Sequence, residues 1–296
     1  MLKNLNKIAK DTNLFLSKYL RNQKYSDLLK VMNYGLFPGG KKIRSKILVD
    51  IGKIFNVNYG TLIKIGAAVE CIHAYSLIHD DLPCMDNDFI RRGKPSTHVK
   101  YGEAPAVLAG NSLLILAFEI LSDKKLYLSE KIKNKLIRKL SECSGHTGIA
   151  GGQFLDLKFE NKKIPIKKII NMQLKKTGRL FSFCCSVPAI IKKNENKNIK
   201  KFEQIGSEIG LLFQIADDLI DYKGDPRKAG KKTKKDSKKG KATLISLLGY
   251  KNAVIYAEKL RLKIDKKLNI YDQKSKNIKQ TIKYILTRNK WININT

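Results

Sequence analysis

The sequence predicts an all-α protein, and two observations lead to that prediction. Apolar residues recur at intervals of three and four through most of the chain, which is the spacing of amphipathic helices. No segment alternates apolar and polar residues as a half-buried strand does, and most of the seven prolines lie between the periodic segments. No linker rich in Pro, Gly or Ser divides the 296 residues, so we expect a single domain spanning residues 1–296.

Helical periodicity covers twelve segments, and glycines at two positions indicate irregular backbone or close packing. Glycine destabilises a helix interior, so Gly148, Gly151 and Gly152 indicate close helix packing or the approach of a substrate. We expect a kink at Lys176–Gly178, where glycine permits an unusual backbone, and a basic loop at Lys223–Lys241. The predicted helices are Leu2–Leu20, Lys24–Tyr34, Lys41–Phe55, Tyr59–Asp80, Ala104–Ser122, Glu130–Cys143, Ser144–Lys158, Ile166–Ile191, Lys197–Tyr222, Ala242–Gly249, Asn252–Leu268 and Gln273–Asn289.

The net charge of +33 raises nucleic acid and anionic membrane surfaces as partners. However, the 50 lysines and 9 arginines are scattered along the whole chain. A nucleic-acid protein more typically concentrates its charge on one face and uses arginine to contact bases. We therefore expect no nucleic-acid partner. A basic protein that binds nucleic acid or a membrane surface, with incidental aspartates, is kept as an alternative.

Cysteine usage and hydropathy favour a cytoplasmic protein. The five cysteines are odd in number and form no CxxC motif, so we expect reduced thiols rather than disulfides or a zinc site. The charged start Met1–Lys10 does not have the long apolar run of a signal peptide. The longest apolar candidate, Ala104–Ile120, is interrupted by Asn111 and Glu119, so we expect no stable membrane insertion.

Four aspartates lie close together at and after the end of the fourth predicted helix: Asp80, Asp81, Asp86 and Asp88. Carboxylates this close destabilise one another unless a cation is shared between them. Mg²⁺ commonly combines a few carboxylates with phosphate oxygens. Arg91 and Arg92 follow directly, and the guanidinium fork suits phosphate. A solvated acidic turn with two surface arginines is the alternative interpretation.

A second cluster, Asp217, Asp218 and Asp221, lies inside a predicted helix. Asp217 and Asp221 share a face of that helix, and Gln214 precedes Asp217 by one turn. Like charges at this spacing destabilise an isolated helix, so this cluster also indicates a cation. Two clusters predict two helices that face each other across a metal-bound diphosphate, and they weaken the interpretation of the first cluster as a mere acidic turn.

Cationic residues stand near both clusters. Lys41 and Arg44 are three residues apart at the start of a predicted helix, where they share a face beside unpaired N–H groups and suit a diphosphate. A basic helix start on the surface is the alternative. His73 lies two turns before Asp80 on nearly the same face. A lone histidine in that position is more often a hydrogen-bonded core residue.

Six motifs in order make the chain resemble the trans-isoprenyl diphosphate synthases, most of all the bacterial short-chain branch that forms farnesyl diphosphate. The resemblance runs from about Gly39 to Lys241, and we expect it to extend to the C-terminal helix. One such motif alone would be a weak signal. The motifs are Gly39–Arg44, Glu70–Asp81, Gly151–Gln153, Lys176–Gly178, Phe213–Asp218 and Gly240–Lys241.

This resemblance implies a polyprenyl synthetase domain, built as a helical bundle around a central cavity for diphosphate and Mg²⁺. In the implied reaction, dimethylallyl diphosphate ionises and isopentenyl diphosphate adds head-to-tail to give geranyl diphosphate, and a second addition to geranyl diphosphate gives farnesyl diphosphate. Each addition releases one diphosphate and one proton. The resemblance also implies more than one Mg²⁺ ion per active site and a homodimer. No separate general base is evident, so the released diphosphate is the candidate that removes the proton.

The resemblance also implies a role for each matching residue. Asp80, Asp86 and Asp217 are expected to bind the metal, with Asp81, Asp218 and Asp221 as further, water-bridged or orienting groups. Isopentenyl diphosphate is assigned to Lys41, Arg44, His73 and Arg92. The allylic diphosphate is assigned to Arg91, Lys176, Lys231 and Lys241. The Thr177 hydroxyl and the Gln214 amide oxygen are expected to face the carbocation.

Product length is expected to depend on Tyr75. It lies five residues before Asp80, roughly 7–8 Å deeper along the helix, where a phenol ring can form the floor of the prenyl pocket. Geranylgeranyl or geranyl diphosphate is the alternative product, and simple core packing is the alternative role. A class I terpene cyclase is a further alternative, against which Lys41, Arg44 and His73 argue, because a cyclase has no second diphosphate substrate.

Some positions depart from the family pattern. Lys42 stands where an arginine is usual and Ser45 where a proline is usual, while Lys41 and Arg44 remain. Lys234 and Lys235 stand in a loop where a glycine-containing sequence is common, so the conformation of that loop is not given by the resemblance.

Overall fold

The computed structural model describes residues 1–223 and 243–287. Within them the chain is almost entirely helical, which confirms the all-α prediction. The α-helices are α1 Leu2–Arg21, α2 Asp27–Leu36, α3 Ile43–Ile54, α4 Tyr59–Asp80, α5 Thr97–Tyr101, α6 Glu103–Ser122, α7 Glu130–Ser144, α8 Ile149–Lys158, α9 Ile166–Gln173, α10 Arg179–Ile191, α11 Asn196–Lys223, α12 Leu244–Leu268 and α13 Lys276–Thr287. Short 3₁₀ segments span Lys124–Leu126 and Asn269–Ser275, and a π-helical turn spans Leu174–Gly178.

The chain divides into two compact units. The first contains Met1–Arg138 and Ile190–Lys192, and the second contains Lys139–Ala189 and the described residues from Lys193 onward. In the first unit, α4 packs against α1, α3 and α6. In the second, α11 packs against α12 and the π-helical turn. The assignment of all 296 residues to one domain stays a prediction.

Helix α4 has the predicted bounds, and its sequence explains both its start and its burial. The Asn58 side chain accepts a hydrogen bond from the Thr61 backbone N–H at 3.1 Å, which caps the N-terminus. Apart from Glu70, the buried residues of α4 are apolar or aromatic, and small residues such as Ala67 and Ala68 are fully buried. Because neighbouring helices cover α4 on several sides, it needs no polar stripe. It is the scaffold that carries His73, Tyr75 and the first aspartates.

The start of α3 differs from the prediction. The helix begins at Ile43, after a turn in which Gly39, Gly40 and Lys42 all have positive φ, of 92°, 118° and 46°. Left-handed backbone of this kind breaks the helix, and glycine adopts it at little cost. Lys41 therefore precedes the helix, and the prediction that Lys41 and Arg44 share a face of its first turn was wrong.

The glycine-rich segment also shifts a helix boundary. The predicted helix Ser144–Lys158 is in fact broken, and α8 begins only at Ile149 after a turn closed by Gly148 N–H and the Gly145 carbonyl. The expected close approach is observed. A Cβ atom on Gly152 would lie 2.2 Å from the Lys176 backbone nitrogen. The expected kink at Lys176–Gly178 takes the form of the π-helical turn.

A short antiparallel hairpin was missed. Ile90–Arg91 pairs with Lys94–Pro95, and the turn between them has positive φ at Arg92 and Gly93. Two residues per strand are too few for an alternating pattern to be visible in the sequence. The hairpin nevertheless positions both arginines of the first cluster.

In the part of the chain that the structure describes, two helices are long and apolar enough to span a membrane by length and composition alone. They are α4 and α6, in which 72% and 44% of the most apolar window is buried within the protein. Core helices of globular proteins pass the same test, so this is weak evidence for membrane insertion. All five cysteines are free thiols, as expected, and only Cys84 among them is exposed.

Candidate active site

A folded loop brings Asp86 back to the end of α4. The Asp86 backbone N–H donates to the Asp80 carbonyl at 2.8 Å, and the Asp88 N–H donates to the Asp81 carbonyl at 3.1 Å. These bonds set the residues at the two ends of the first aspartate cluster beside each other. The predicted proximity of Asp80 and Asp86 therefore follows from backbone hydrogen bonding within the loop.

Asp81 is held by an arginine of the hairpin. Arg91 Nε donates to Asp81 Oδ2 at 2.8 Å and to Oδ1 at 3.0 Å, and the Arg91 Nη2 group also contacts Oδ1. Asp88 Oδ2 lies 3.8 Å from the same guanidinium. Burial raises the pKa of Asp81, and the Arg91 charge acts in the opposite direction. The guanidinium predicted to bind the allylic diphosphate is thus also the counter-charge of an aspartate.

The carboxylates of the first loop are a donor set that fits Mg²⁺. Across residues 1–223 and 243–287, no group of three or more His, Cys, Asp or Glu side chains is arranged to hold a metal by itself. Mg²⁺ is usually held by one or two carboxylates together with substrate phosphates. Asp80 and Asp86 are both partly exposed and lie on one loop, so they can supply such a pair.

Basic side chains converge around His73 on α4. Burial lowers the pKa of His73 well below its usual value, and the nearby charges of Arg44 and Arg92 lower it further. The Arg92 guanidinium lies over Gly40, where an added Cβ would be 1.5 Å from Nη1. The structure therefore brings together Arg44, His73 and Arg92, and Lys41 lies exposed on the adjoining turn. These are the four residues predicted for isopentenyl diphosphate.

A hydrogen-bonded network in the second unit joins the π-helical turn to the aspartates of α11. The Thr177 hydroxyl donates to Gln214 Oε1 at 3.0 Å, and Gln214 Nε2 donates to Asp218 Oδ1 at 2.8 Å. Gln173 Nε2 reaches the other oxygen of Asp218 at 3.3 Å. The Gln214 oxygen predicted to face a carbocation thus accepts a hydrogen bond, which orients it.

Aspartates of the second cluster differ in their exposure. Asp218 and Asp221 are buried, at 4% exposure each, whereas Asp217 is partly exposed. The helical spacing predicted for Asp217 and Asp221 is observed, because α11 is continuous through both. Asp217 is therefore the most accessible carboxylate of this cluster to an incoming cation.

Lys176 is tied to an aspartate that sequence reasoning did not single out. Its ammonium lies 2.7 Å from Asp156 Oδ2 on α8, and the two side chains are 24% and 10% exposed. Gln153 lies nearly one turn earlier on α8 and is buried. Neither the nitrogen nor the oxygen of its side-chain amide has a hydrogen-bond partner among the described residues. The predicted diphosphate ligand thus has a carboxylate that holds it in place.

Three polar residues with direct contacts to the site were given no role from the sequence: Glu70, Asp156 and Gln173. Glu70 and Gln173 occur within or next to quoted motifs, and Asp156 lies three residues after Gln153. The available signal was helical spacing, since Asp156 falls nearly one turn after Gln153 and Glu70 nearly one turn before His73. Lys231 and Lys241 lie outside the described residues, so their predicted roles stay predictions.

Tyr75 is buried on α4, with 8% exposure, and its ring meets His79 edge-on at a centroid distance of 5.7 Å. His79 Nε2 in turn lies 3.1 Å from the Val107 carbonyl of α6. Burial raises the pKa of Tyr75 to about 12, so the phenol stays neutral. A fixed, neutral aromatic ring at this depth is compatible with the predicted floor of a prenyl pocket.

Comparisons with known proteins show the family to which the chain belongs. The polyprenyl synthetase family model matches residues 26–285. The farnesyl diphosphate synthase of Escherichia coli strain K12 is 39% identical over 249 residues, covering 83% of each chain. Among solved structures, an FPP/GFPP synthase from Zymomonas mobilis superposes with a TM-score of 0.86 at 37% identity, covering 96% of this chain and 98% of that one.

A second solved structure carries ligand information. A geranyltransferase from Helicobacter pylori, crystallised with magnesium and isoprenyl diphosphate, superposes with a TM-score of 0.81 at 31% identity. The similarity covers 96% of this chain and 97% of that one. Since the family model spans most of the 296 residues and the relatives match over most of their own length, the chain belongs to the polyprenyl synthetase family.

Proposed function

We propose that the protein is a farnesyl diphosphate synthase that condenses isopentenyl diphosphate with dimethylallyl and then geranyl diphosphate. The observation that carries this proposal is the cation cluster of Arg44, His73 and Arg92 in the same unit as the carboxylate pair Asp80 and Asp86. A prenyl elongase needs a place for each of two diphosphates. The similarity to farnesyl diphosphate synthases over most of the chain supports the same activity.

The described residues divide between the two substrates. Lys41, Arg44, His73 and Arg92 would bind isopentenyl diphosphate, and the lowered pKa of His73 keeps its imidazole neutral and able to donate one hydrogen bond. Lys176 would bind the allylic diphosphate, held in position by Asp156.

Departure of the allylic diphosphate develops negative charge on one side and a carbocation on the other. Cationic side chains oriented before the reaction stabilise the departing diphosphate without reorganisation, and Arg91 is oriented in this way by Asp81. The Thr177–Gln214 pair presents oriented dipoles that are poor nucleophiles, so they can stabilise the cation without trapping it.

Mg²⁺ is the proposed cofactor, with more than one ion per active site. When bound, it acts as a Lewis acid on the departing diphosphate. Asp80 and Asp86 on the first loop and Asp217 on α11 would hold the ions, with Asp81, Asp218 and Asp221 as orienting groups. Support comes from the oxygen donors of both clusters and from the magnesium found in the Helicobacter pylori relative.

A homodimer in the cytoplasm is also proposed. Helix α6 exposes Val107, Leu108 and Ile115, with 37%, 54% and 64% of their surface accessible, although the helix is strongly apolar. An apolar face of this kind is typical of a subunit interface. Light scattering should give twice the 33.6 kDa chain mass, and a monomer at micromolar concentration would contradict the proposal.

The decisive experiment is product analysis with isopentenyl and dimethylallyl diphosphates plus Mg²⁺. After dephosphorylation, chromatography should show farnesol as the main alcohol. Geranylgeranyl diphosphate is the second candidate product. The buried ring of Tyr75 favours the shorter chain, since it can close the pocket. Tyr75→Ser should shift the product to twenty carbons or more, and farnesol alone at an unchanged rate would exclude Tyr75 as the stop.

A further inference from the structure

The N-terminal end of α3 meets a buried carboxylate, that of Glu70 on α4. Ser45, the third residue of α3, donates its backbone N–H to Glu70 Oε1 at 3.2 Å, and its hydroxyl lies 3.1 Å from the same oxygen. The first N–H groups of a helix have no partner within that helix. Glu70 is 3% exposed, so one of these donors is satisfied inside the protein. Proline at position 45 could make neither contact.

The Lys42 side chain is directed toward the same carboxylate. Its ammonium lies 3.9 Å from Glu70 Oε2 and donates to the Leu36 carbonyl at 3.3 Å. Lys42 is 9% exposed, whereas Lys41 is exposed and Arg44 is half-buried. Of the three cations in this segment, the middle one is therefore turned inward, and the outer two are the more accessible.

Close contact between α3 and α4 is fixed at this point. The Ser45 hydroxyl lies 3.2 Å from the Gly66 carbonyl as well as 3.1 Å from Glu70, and its single proton can serve one of the two oxygens at a time. A Cβ on Gly66 would lie only 2.9 Å from the Ser45 oxygen. Arg44 directly precedes Ser45, and His73 lies nearly one turn after Glu70. The Ser45–Glu70 pair thus joins the two segments that carry these cations.

We infer that Ser45 and Glu70 are positioning residues of the isopentenyl diphosphate site. The pair holds the start of α3 against α4 and draws Lys42 inward, so that Lys41, Arg44 and His73 keep one arrangement for the diphosphate. The Glu70 carboxylate attracts both Lys42 and Arg92, and it thereby offsets the repulsion that Arg91 and Arg44 exert on Arg92. This inference rests on the proposed function, because it names residues that serve one of the two substrates.

Calorimetric binding of isopentenyl diphosphate alone, together with steady-state kinetics, tests the inference in three variants. Ser45→Ala removes the hydroxyl, and Glu70→Gln keeps an acceptor oxygen but removes the charge. Ser186→Ala is the matched control, because Ser186 is as fully buried as Ser45 but donates to the Phe183 carbonyl of its own helix. Thermal melting monitored by circular dichroism checks that each variant is folded.

We expect Kd for isopentenyl diphosphate to rise about 3- to 10-fold in Ser45→Ala, the range for one lost hydrogen bond, and at least about tenfold in Glu70→Gln. The KM for isopentenyl diphosphate should rise in parallel, with kcat and the KM for geranyl diphosphate changed less than about threefold. Ser186→Ala should bind as the wild type does.

Three results would overturn the inference. One is unchanged affinity in Ser45→Ala. Another is equal or tighter binding of isopentenyl diphosphate in Glu70→Gln. That result would mean that the Glu70 carboxylate does not position the site, and tighter binding would mean that it repels the diphosphate. The third is a lower kcat with unchanged KM, which indicates a loss of folded protein. A wild type that forms no prenyl product would instead refute the proposed function, so the two failures are distinguishable.

Discussion

The two aspartate clusters are built in different ways. In the first unit, Asp81 is buried against the guanidinium of Arg91, so its charge is balanced by an opposite charge. In the second unit, Asp218 is equally buried but accepts hydrogen bonds from two amides, those of Gln173 and Gln214. Amide donors stabilise a carboxylate without cancelling its charge.

This difference affects which carboxylates of each cluster are available to bind a cation. On the first loop, Asp81 is the carboxylate that Arg91 holds, and Asp80 and Asp86 are partly exposed beside it. On α11, two uncharged amides hold Asp218, and Asp217 is the more exposed carboxylate. We therefore interpret the first cluster as a pair of ligands beside an oriented guanidinium, and the second as one accessible ligand beside an amide network.

The largest expected effect comes from removing the accessible carboxylate of each cluster. Asp80→Ala and Asp217→Ala should each lower kcat by roughly a thousandfold or more, because the Lewis acid contributes several kcal/mol to the departure of diphosphate. Asp27→Ala is the control, since this exposed carboxylate pairs with Lys30 on the surface of α2. Near-normal turnover in either cluster variant, with helicity intact, would remove the metal assignment for that cluster.

The second prediction compares the partners of the two buried aspartates. Arg91→Gln leaves Asp81 buried without its counter-charge and should lower the free energy of unfolding by about 2–4 kcal/mol. Gln173→Leu removes one of two amide donors to Asp218 and should cost only about 1 kcal/mol. Urea titrations measure both. If the two variants lose equal stability, the distinction between a charge pair and an amide network is wrong.

The third prediction separates the two units kinetically. Arg44→Ala should raise the KM for isopentenyl diphosphate about tenfold, which corresponds to about 1.4 kcal/mol of charge-assisted hydrogen bonding. Lys176→Ala should have a similar effect on the KM for geranyl diphosphate. Each variant serves as the control for the other. Equal losses for both substrates in both variants would show that the division of cations between the two diphosphates is incorrect.

The positions of the aspartates on α11 could be predicted from the sequence far better than the contacts within the loop that follows α4. Asp217 and Asp221 share a face of α11 because helical spacing alone places them there, and α4 was predicted with its observed bounds. The contact between Asp80 and Asp86 instead depends on backbone hydrogen bonds within an irregular loop. The Arg91–Asp81 pair depends on a hairpin too short to leave a pattern.

Polar contacts between residues far apart in the sequence were also not predicted. Glu70 meets Ser45 across 25 positions of sequence, and Gln173 meets Asp218 across 45. No periodicity connects residues on different helices, because such contacts depend on how the helices pack. The family resemblance supplied the candidate cations and aspartates of the site, whereas the side chains that contact them, such as Glu70 and Gln173, were found only in the structure.

The smallest expected effect concerns His73, the titratable group at the centre of the cations in the first unit. Burial depresses its pKa in the folded protein, and the charges of Arg44, Arg92, Lys42 and Arg91 act in the same direction. A depressed folded-state pKa contributes stability that is present above the unfolded value of about 6.5 and is lost as pH falls toward the folded value.

The variant His73→Asn has no imidazole at this position, so it does not have this pH-dependent loss of stability. The free energy of unfolding, measured between pH 7.5 and 5.5, should therefore fall more steeply for the wild type than for the variant. His146→Asn, at an exposed histidine, should follow the wild-type curve. Parallel curves for the wild type and His73→Asn would mean that neither burial nor the surrounding cations oppose protonation of this imidazole in the folded protein, and the lowered pKa of His73 would then be wrong.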